Sequence, residues 1–155
     1  MTEPLTGLQV RAGLAEDVPV LVDFQLRMAR ETEELELDLD TLTRGVEAVF
    51  TDPRKGAYWV AERGGQIVGG LLTTFEWSDW RNGTILWIQS VYVVPEERGR
   101  GVYRALYEHL RAKVEADPGL KGLRLYVDKR NAGAQRVYER LGMTREHYDT
   151  FEWLK

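Results

Sequence analysis

Apolar residues recur along the chain with two different periods, and the change of period separates predicted helices from predicted strands. Leu8–Ala12 alternates and predicts a first strand. Behind Asp17, and again over residues 42–50, apolar residues return every third or fourth position, which is typical of amphipathic helices. Asp52 and Pro53 end the second of these helices.

The middle of the chain is rich in β-branched and aromatic residues. Three such segments are separated by short polar stretches that contain glycine, so they predict an antiparallel meander. They cover residues 57–61, 66–75 and 84–94.

Helical spacing returns in the last third of the chain. A helix is predicted over residues 101–116 and a short strand over 123–127. A further helix begins after Asn131 as N-cap and stops at Gly142, and the alternation over 143–153 predicts a last strand or hairpin. The order of elements indicates one mixed α/β domain over residues 1–155.

Composition excludes several kinds of catalytic site. The 155 residues include no cysteine, two histidines and two serines, Ser78 and Ser90. Thiolate catalysis, sulfur-ligated metals and a three-histidine zinc site are therefore excluded, and neither serine lies in a Gly-x-Ser-x-Gly motif. We expect no metal cofactor. The chain carries neither an apolar run of about 18 residues nor a signal-peptide pattern, so we expect a cytoplasmic protein that does not bind membranes.

Charge is distributed unevenly along the chain. Residues 1–97 hold 8 basic and 17 acidic residues, residues 98–145 hold 12 and 5, and residues 146–155 hold 1 and 3. This asymmetry predicts an anionic ligand on the basic segment and a cationic one on the acidic segment. The net charge of −4 argues against nucleic acid as a partner.

The sequence Arg98-Gly99-Arg100-Gly101-Val102 lies between a predicted strand and a predicted helix. The first N–H groups of a helix have no intrahelical acceptor, and glycine lets the backbone approach an anion closely. The segment therefore predicts a phosphate site, although a solvated turn that only starts a helix fits the same pattern.

The segment resembles the Arg/Gln-x-x-Gly-x-Gly/Ala signature of the GCN5-related N-acetyltransferase (GNAT) superfamily. Tyr103 stands where the family has Gly or Ala. A second segment, from Asn131 through Tyr138 to Gly142, is similar to the family's following helix. The resemblance implies a GNAT-like, mostly antiparallel twisted sheet of six to seven strands, flanked by about four helices and splayed at an acetyl-CoA groove.

The resemblance also implies which residues bind acetyl-CoA and which act on it. The backbone of Val91 and Val93 would pair with the pantetheine arm, and Asn131 would lie near it or serve only as an N-cap. The pyrophosphate would be held by the turn and helix start, residues Arg98, Gly99, Arg100, Gly101, Val102 and Tyr103. Tyr138 would be the general acid at the CoA sulfur, although its place on an apolar helical stripe is equally typical of a core residue.

The acceptor is expected to be a small molecule with a primary amine. Its ammonium must lose a proton, and Glu76 and Asp79 are candidate bases. An aromatic concentration near a predicted hairpin, with an acidic residue and an amide, is a candidate acceptor pocket, formed by Glu31, Trp77, Trp80, Trp87 and Gln89. A cap on the core or a dimer interface explains the tryptophans equally well.

The resemblance therefore predicts an N-acetyltransferase in which the amine attacks acetyl-CoA directly, and it implies that a homodimer can form. Two alternatives stay open. One is an acyl-CoA-binding sensor without turnover, and the other is a protein or peptide N-terminal acetyltransferase.

Overall fold

The computed structural model describes residues 7–155, which form two compact units that meet in sequence at Leu125 and Tyr126. The first unit contains five strands and three helices, and the second contains one helix. In chain order the elements are β1 (Leu8–Ala12), α1 (Val18–Glu33), α2 (Leu39–Thr51), β2 (Ala57–Arg63), β3 (Gln66–Ser78), β4 (Gly83–Val93), α3 (Val102–Ala116), β5 (Leu120–Leu125) and α4 (Ala132–Arg140).

The five strands form one sheet in the order β1-β2-β3-β4-β5. The pairs β1–β2, β2–β3 and β3–β4 are antiparallel, and β4–β5 is parallel. Short turns connect β2 to β3 and β3 to β4, α1 and α2 lie between β1 and β2, and α3 supplies the crossover that the parallel pair β4–β5 requires. The mixed, mostly antiparallel fold class predicted from the sequence is confirmed.

Helices cover both faces of this sheet. On one face, Leu21 and Val22 of α1 and Val46 of α2 pack with Tyr58 and Val60 of β2 in a buried cluster. On the other face, α3 buries four residues along one stripe and contacts β2 through a ring contact between His109 and Trp59. These stripe residues are Val102, Leu106, Tyr107 and Leu110.

Helix starts follow the capping residues in the sequence. The carboxylate of Asp38 accepts a hydrogen bond from the Thr41 N–H at 2.9 Å and caps α2. The side chain of Asn131 accepts one from the Ala134 N–H at 3.0 Å, which confirms the predicted N-cap of α4.

The predicted count of six to seven strands is wrong for the described residues 7–155, which form five. Residues 143–153, predicted as a strand or hairpin, contain no strand. Alternation makes a strand only where one face is buried and a neighbour supplies hydrogen bonds. Here Tyr148, Phe151 and Trp153 are 71%, 96% and 87% exposed.

The strand predicted over residues 123–127 begins and ends earlier, at Leu120 and Leu125. Among residues 7–155, no helix combines the length and the apolar character needed to cross a membrane.

Candidate active site

Strand β5 pairs with only the first part of β4, which is the longer of the two strands. Their pairing extends from Thr84 with Leu120 to Ile88 with Leu125. Beyond Ile88, β4 continues to Val93, and no other strand of residues 7–155 pairs with it on that side. The backbone N–H and C=O groups of this edge that have no side-chain partner can therefore hydrogen-bond a ligand that lies along the strand.

A β-bulge turns this end of β4. On β3 one residue separates the partners Gly70 and Leu72, whereas on β4 two residues separate Tyr92 and Gln89. The extra residue is at Ser90, which has a φ of 54°. A bulge bends the strand and re-aims the residues beyond it, so it sets the course of the unpaired end of β4.

A glycine turn connects the end of β4 to α3. Gly99 and Gly101 have φ values of 74° and 85°, a region that favours glycine. Gly101 is the N-cap of α3 and has no side chain to cap the helix, so the first N–H groups of α3 need acceptors from outside. A Cβ at Gly99 would meet nothing within 4 Å, so the turn has open space beside it. This arrangement fits the phosphates of a nucleotide cofactor.

Arg98 makes three contacts away from this turn. Its Nε donates to the Val93 carbonyl at 2.9 Å, and its Nη2 donates to Glu31 Oε2 at 2.8 Å. Its guanidinium carbon also lies 5.3 Å from the centroid of the Tyr92 ring. The Val93 carbonyl, predicted to pair with the pantetheine arm, is thus hydrogen-bonded to Arg98.

Arg100 is held by a buried carboxylate. Glu97, 8% exposed, accepts from Arg100 Nη1 at 3.1 Å and from Arg63 Nε at 3.1 Å, one through each oxygen. The side chain of Arg100 is 46% exposed, so its guanidinium is oriented by Glu97 while it still faces solvent.

Glu76 lies in a polar cluster across three strands. It accepts from Trp87 Nε1 at 2.6 Å and from Arg124 Nη1 at 2.9 Å on Oε1, and from Arg124 Nη1 at 2.8 Å on Oε2. The hydrogen bonds from Trp87 and then from Arg124 lower the pKa of Glu76. Next to it, Gln89 Nε2 donates to Thr74 Oγ1 at 2.5 Å.

The structure does not bring all predicted pocket residues together. Trp77 alternates with Glu76 along β3 and therefore lies on the opposite face of the sheet, with its ring 65% exposed. Trp80 is 90% exposed in the hairpin turn, where its backbone N–H donates to Asp79 Oδ1 at 2.9 Å. Trp87 and Gln89 share the face of Glu76.

Glu31, predicted to bind the acceptor, lies at the C-terminal end of α1 beside the glycine turn at residues 98–101. Its two oxygens accept from Tyr92 Oη at 3.0 Å and from Arg98. The hydrogen bond from Arg98 lowers the pKa of Glu31. Val102 is buried at the start of α3, and the half-buried ring of Tyr103 lies 6.4 Å from that of Tyr107 on the same helix.

The second unit carries the predicted acid. Tyr138 is half-buried on α4, and burial raises the pKa of its hydroxyl, so it is protonated at neutral pH. Its role as acid, like the roles of the other predicted site residues, stays a prediction.

These contacts include residues that were not predicted from the sequence, among them Tyr92, Glu97 and Arg124. Arg124 left a usable signal, since an arginine in the apolar run Leu120–Leu125 needs a partner on the sheet face. Glu97 and Tyr92 left none, because their partners are distant in sequence or lie in a turn.

Comparison with known proteins agrees with this geometry. The chain is 38% identical to a mycothiol acetyltransferase of Thermobispora bispora over an alignment of 117 residues, which covers 69% of this chain and 36% of that protein. It is 36% identical to the thialysine N-epsilon-acetyltransferase of Bos taurus over 76 residues, 49% of this chain and 44% of that protein. The chain thus spans about a third to a half of the length of these relatives.

A solved structure is similar over nearly the full length. It is a possible acetyltransferase from Clostridium difficile 630, with a TM-score of 0.89, 40% sequence identity, and coverage of 96% of this chain and 97% of that one. Residues 21–143 match the Acetyltransferase (GNAT) family. These matches, together with the turn and the unpaired end of β4, show that the chain belongs to the acetyltransferase (GNAT) family.

Proposed function

We propose that the chain transfers an acetyl group from acetyl-CoA to the primary amine of a small molecule by direct attack of the amine on the thioester. The observation that carries this proposal is the unpaired end of β4, which leads through Gly99 and Gly101 into the start of α3. An extended arm with a pyrophosphate at its end fits such an edge followed by a helix N-terminus.

The residues present suit acetyl-CoA. The backbone N–H groups of the turn and of the first residues of α3 would bind the pyrophosphate, with Arg100 nearby as a cation. Val91 would offer its backbone to the pantetheine arm. When bound, acetyl-CoA supplies the activated acetyl thioester.

Tyr138 is proposed to stabilise the departing thiolate by donating a hydrogen bond. An unperturbed tyrosine, with a pKa near 10, is a weaker acid than a thiol near 8.5, and burial raises the pKa of Tyr138 further. Full proton transfer is therefore unfavourable, and a hydrogen bond to the sulfur is the better description of its role.

The acceptor must lose a proton before it attacks. An alkyl amine with a pKa of about 10.4 is neutral in roughly one molecule in a thousand at pH 7.4, which costs about 4 kcal/mol. Glu76 has a lowered pKa and so is a weak base, but its charge attracts an ammonium. We infer that Glu76 holds the acceptor, and that proton removal falls to Asp79 or to water.

The class of acceptor follows from charge and from the relatives. Glu76, Trp87 and Gln89 on one sheet face form a half-buried polar surface that suits a small cation. The names of the mycothiol and thialysine enzymes support small-molecule acceptors. Arg124 already pairs with Glu76 at 2.8 Å, so the acceptor would share this carboxylate with Arg124.

A thiol-release assay tests the proposal. Purified chain, acetyl-CoA and a panel of polyamines, amino acids, amino sugars and short peptides are read with a thiol reagent, and the cysteine-free chain gives no background. Release that depends on one small amine class is the expected result. Release only with peptides favours N-terminal acetylation of proteins, and CoA binding without any release favours a sensor. Absence of CoA binding overturns the proposal.

A further inference from the structure

Three side chains join the C-terminal end of α1 to the glycine turn at residues 98–101, which we call the cofactor turn. These side chains, Glu31, Tyr92 and Arg98, we name the α1 brace. Glu31 and Arg98 are 67 residues apart in sequence, and Tyr92 lies on β4 beyond the bulge. Each member touches the other two: Glu31 accepts from both, and the Arg98 guanidinium lies over the Tyr92 ring.

The brace is anchored at both ends. At one end, the Tyr92 ring packs against Phe24 of α1 at a centroid distance of 5.1 Å. At the other, Arg98 Nε donates to the Val93 carbonyl at 2.9 Å. Val94 donates its N–H to Val68 on β3, so the Val93 carbonyl points to the opposite edge, where β5 no longer pairs. Arg98 thus hydrogen-bonds the last carbonyl on the unpaired edge of β4.

The two arginines of the turn differ in what orients them. Arg98 uses its guanidinium for a backbone carbonyl, a carboxylate and a ring. Arg100 is oriented by the buried Glu97, which Arg63 holds from its other side. A guanidinium has five N–H donors, and Arg98 uses two of them, one on Nε and one on Nη2, in hydrogen bonds to the protein.

We propose that Glu31 and Tyr92 are positioning residues that hold Arg98 as a brace between α1 and the cofactor turn, so that Arg98 shapes the site while Arg100 is the arginine that meets the phosphates. The inference rests on the proposed function, because it concerns the same acetyl-CoA site. It changes the expected role of Glu31 from acceptor ligand to support of the cofactor turn.

The direction in which one substitution changes CoA affinity distinguishes the brace from a purely electrostatic effect. Glu31→Gln leaves one acceptor oxygen where two are used, so the brace loosens and CoA binds more weakly, by about threefold to tenfold. If Glu31 acted only through its charge, its removal would strengthen binding of the anionic CoA. Glu33→Gln removes the same charge from the exposed end of the same helix and serves as the matched control.

The experiment measures CoA affinity by calorimetry on the full chain. We expect weaker binding in Glu31→Gln than in Glu33→Gln, and a smaller loss in Tyr92→Phe, which removes only the hydroxyl. In an Arg98→Gln background, Glu31→Gln has little further effect, since its partner is gone. Steady-state kinetics then show a raised KM for acetyl-CoA at nearly unchanged kcat, a split that general loss of folded protein does not produce.

The dependence of CoA affinity on ionic strength distinguishes the roles of the two arginines. Arg100→Gln lowers the dependence of CoA affinity on ionic strength, whereas the double variant Arg98→Gln/Glu31→Gln, which removes both charges of a neutral pair, weakens binding with the wild-type salt dependence. Equal affinity in Glu31→Gln and Glu33→Gln, or a reduced salt dependence in the double variant Arg98→Gln/Glu31→Gln, overturns the brace. Absence of CoA binding by the wild-type chain instead overturns the proposed function, so the two failures are distinguishable.

Discussion

Asp17 fixes the entry into α1 through a buried carboxylate. It is 6% exposed and accepts from Arg11 at 2.8 and 3.2 Å and from the Leu14 N–H at 2.7 Å. The hydrogen bond from Arg11 lowers the pKa of Asp17. Asp17→Asn, which keeps the shape, should reduce the free energy of unfolding at pH 7 by about 1–3 kcal/mol.

The loss should depend on pH in a defined direction. Because the folded-state pKa of Asp17 lies below the unfolded value of about 3.9, its stabilisation is full above that value and disappears as pH falls through the folded-state pKa. Urea unfolding at pH 7 and pH 3 should therefore show a gap between wild type and Asp17→Asn that narrows in acid. Asp23→Asn, at a half-exposed carboxylate, should cost much less at either pH. A constant gap for Asp17→Asn would contradict this account.

Glu76 gives a second prediction at the scale of one residue. Because its pKa is lowered below the usual value for glutamate, it stays ionised at neutral pH, and its titration does not shape activity between pH 5 and 9. Glu76→Gln should raise the KM for the acceptor by about tenfold through the lost charge, while CoA affinity stays at the wild-type value. Profiles of kcat/KM against pH should run parallel for the two proteins. Disappearance of an acid limb near pH 6–7 in the variant would identify Glu76 as the general base instead.

The residues of the turn could be predicted from sequence, but their partners could not. Gly99 and Gly101 stand in one short motif, and local chemistry is enough to predict an anion site there. Arg98 was expected to face the phosphates, yet its partner Glu31 is 67 positions away, and a single sequence holds no signal for that contact. Charge alone assigned Glu31 to a cationic acceptor.

At the scale of elements, the course of β4 depends on Ser90. A φ of 54° is uncommon for a residue with a side chain, and it is costly for a β-branched one. Ser90→Val should therefore destabilise the fold by about 1–2 kcal/mol and weaken CoA binding, because the strand is pressed toward a regular path. Ser90→Gly should match or exceed the wild-type stability and keep CoA affinity.

Thermal unfolding and calorimetry with CoA check this pair of substitutions at one site. Equal stability and equal CoA affinity in the valine and glycine variants would show that the bulge does not set the groove.

The bulge is a feature that the periodicity of apolar residues cannot predict. Residues 84–94 were predicted as one strand, which matches β4 closely, but an extra residue within a strand leaves the apolar pattern nearly unchanged.

Helices were easier to predict than strands for a physical reason. Their hydrogen bonds are local, so caps such as Asp38 and Asn131 mark real starts. A strand needs a partner from elsewhere in the chain. The tail over residues 143–153 alternates as a strand does, yet its large rings are exposed and it joins no ladder among the described residues.

For the whole molecule, the charge pattern favours an anionic cofactor on one segment and a cationic acceptor on the other. The basic segment 98–145 begins at the cofactor turn, and the acidic segment before it contains Glu76 and Glu31. The structure modifies this picture, because Glu31 and Arg98 neutralise each other across the two segments. The sequence-level charge therefore overstates the positive charge available to the cofactor.

Tyr138 tests whether the second unit takes part in the reaction. With a raised pKa it remains a hydrogen-bond donor across the working pH range, so loss of its hydroxyl should slow the step in which the thiolate leaves. We expect Tyr138→Phe to lower kcat by about 10²- to 10⁴-fold with little change in CoA affinity. Tyr148→Phe, at a 71% exposed ring in the same unit, should keep wild-type kinetics. Wild-type kcat in Tyr138→Phe would remove the role, and a fall in kcat matched by an equal loss of CoA affinity would indicate that the ring supports the fold.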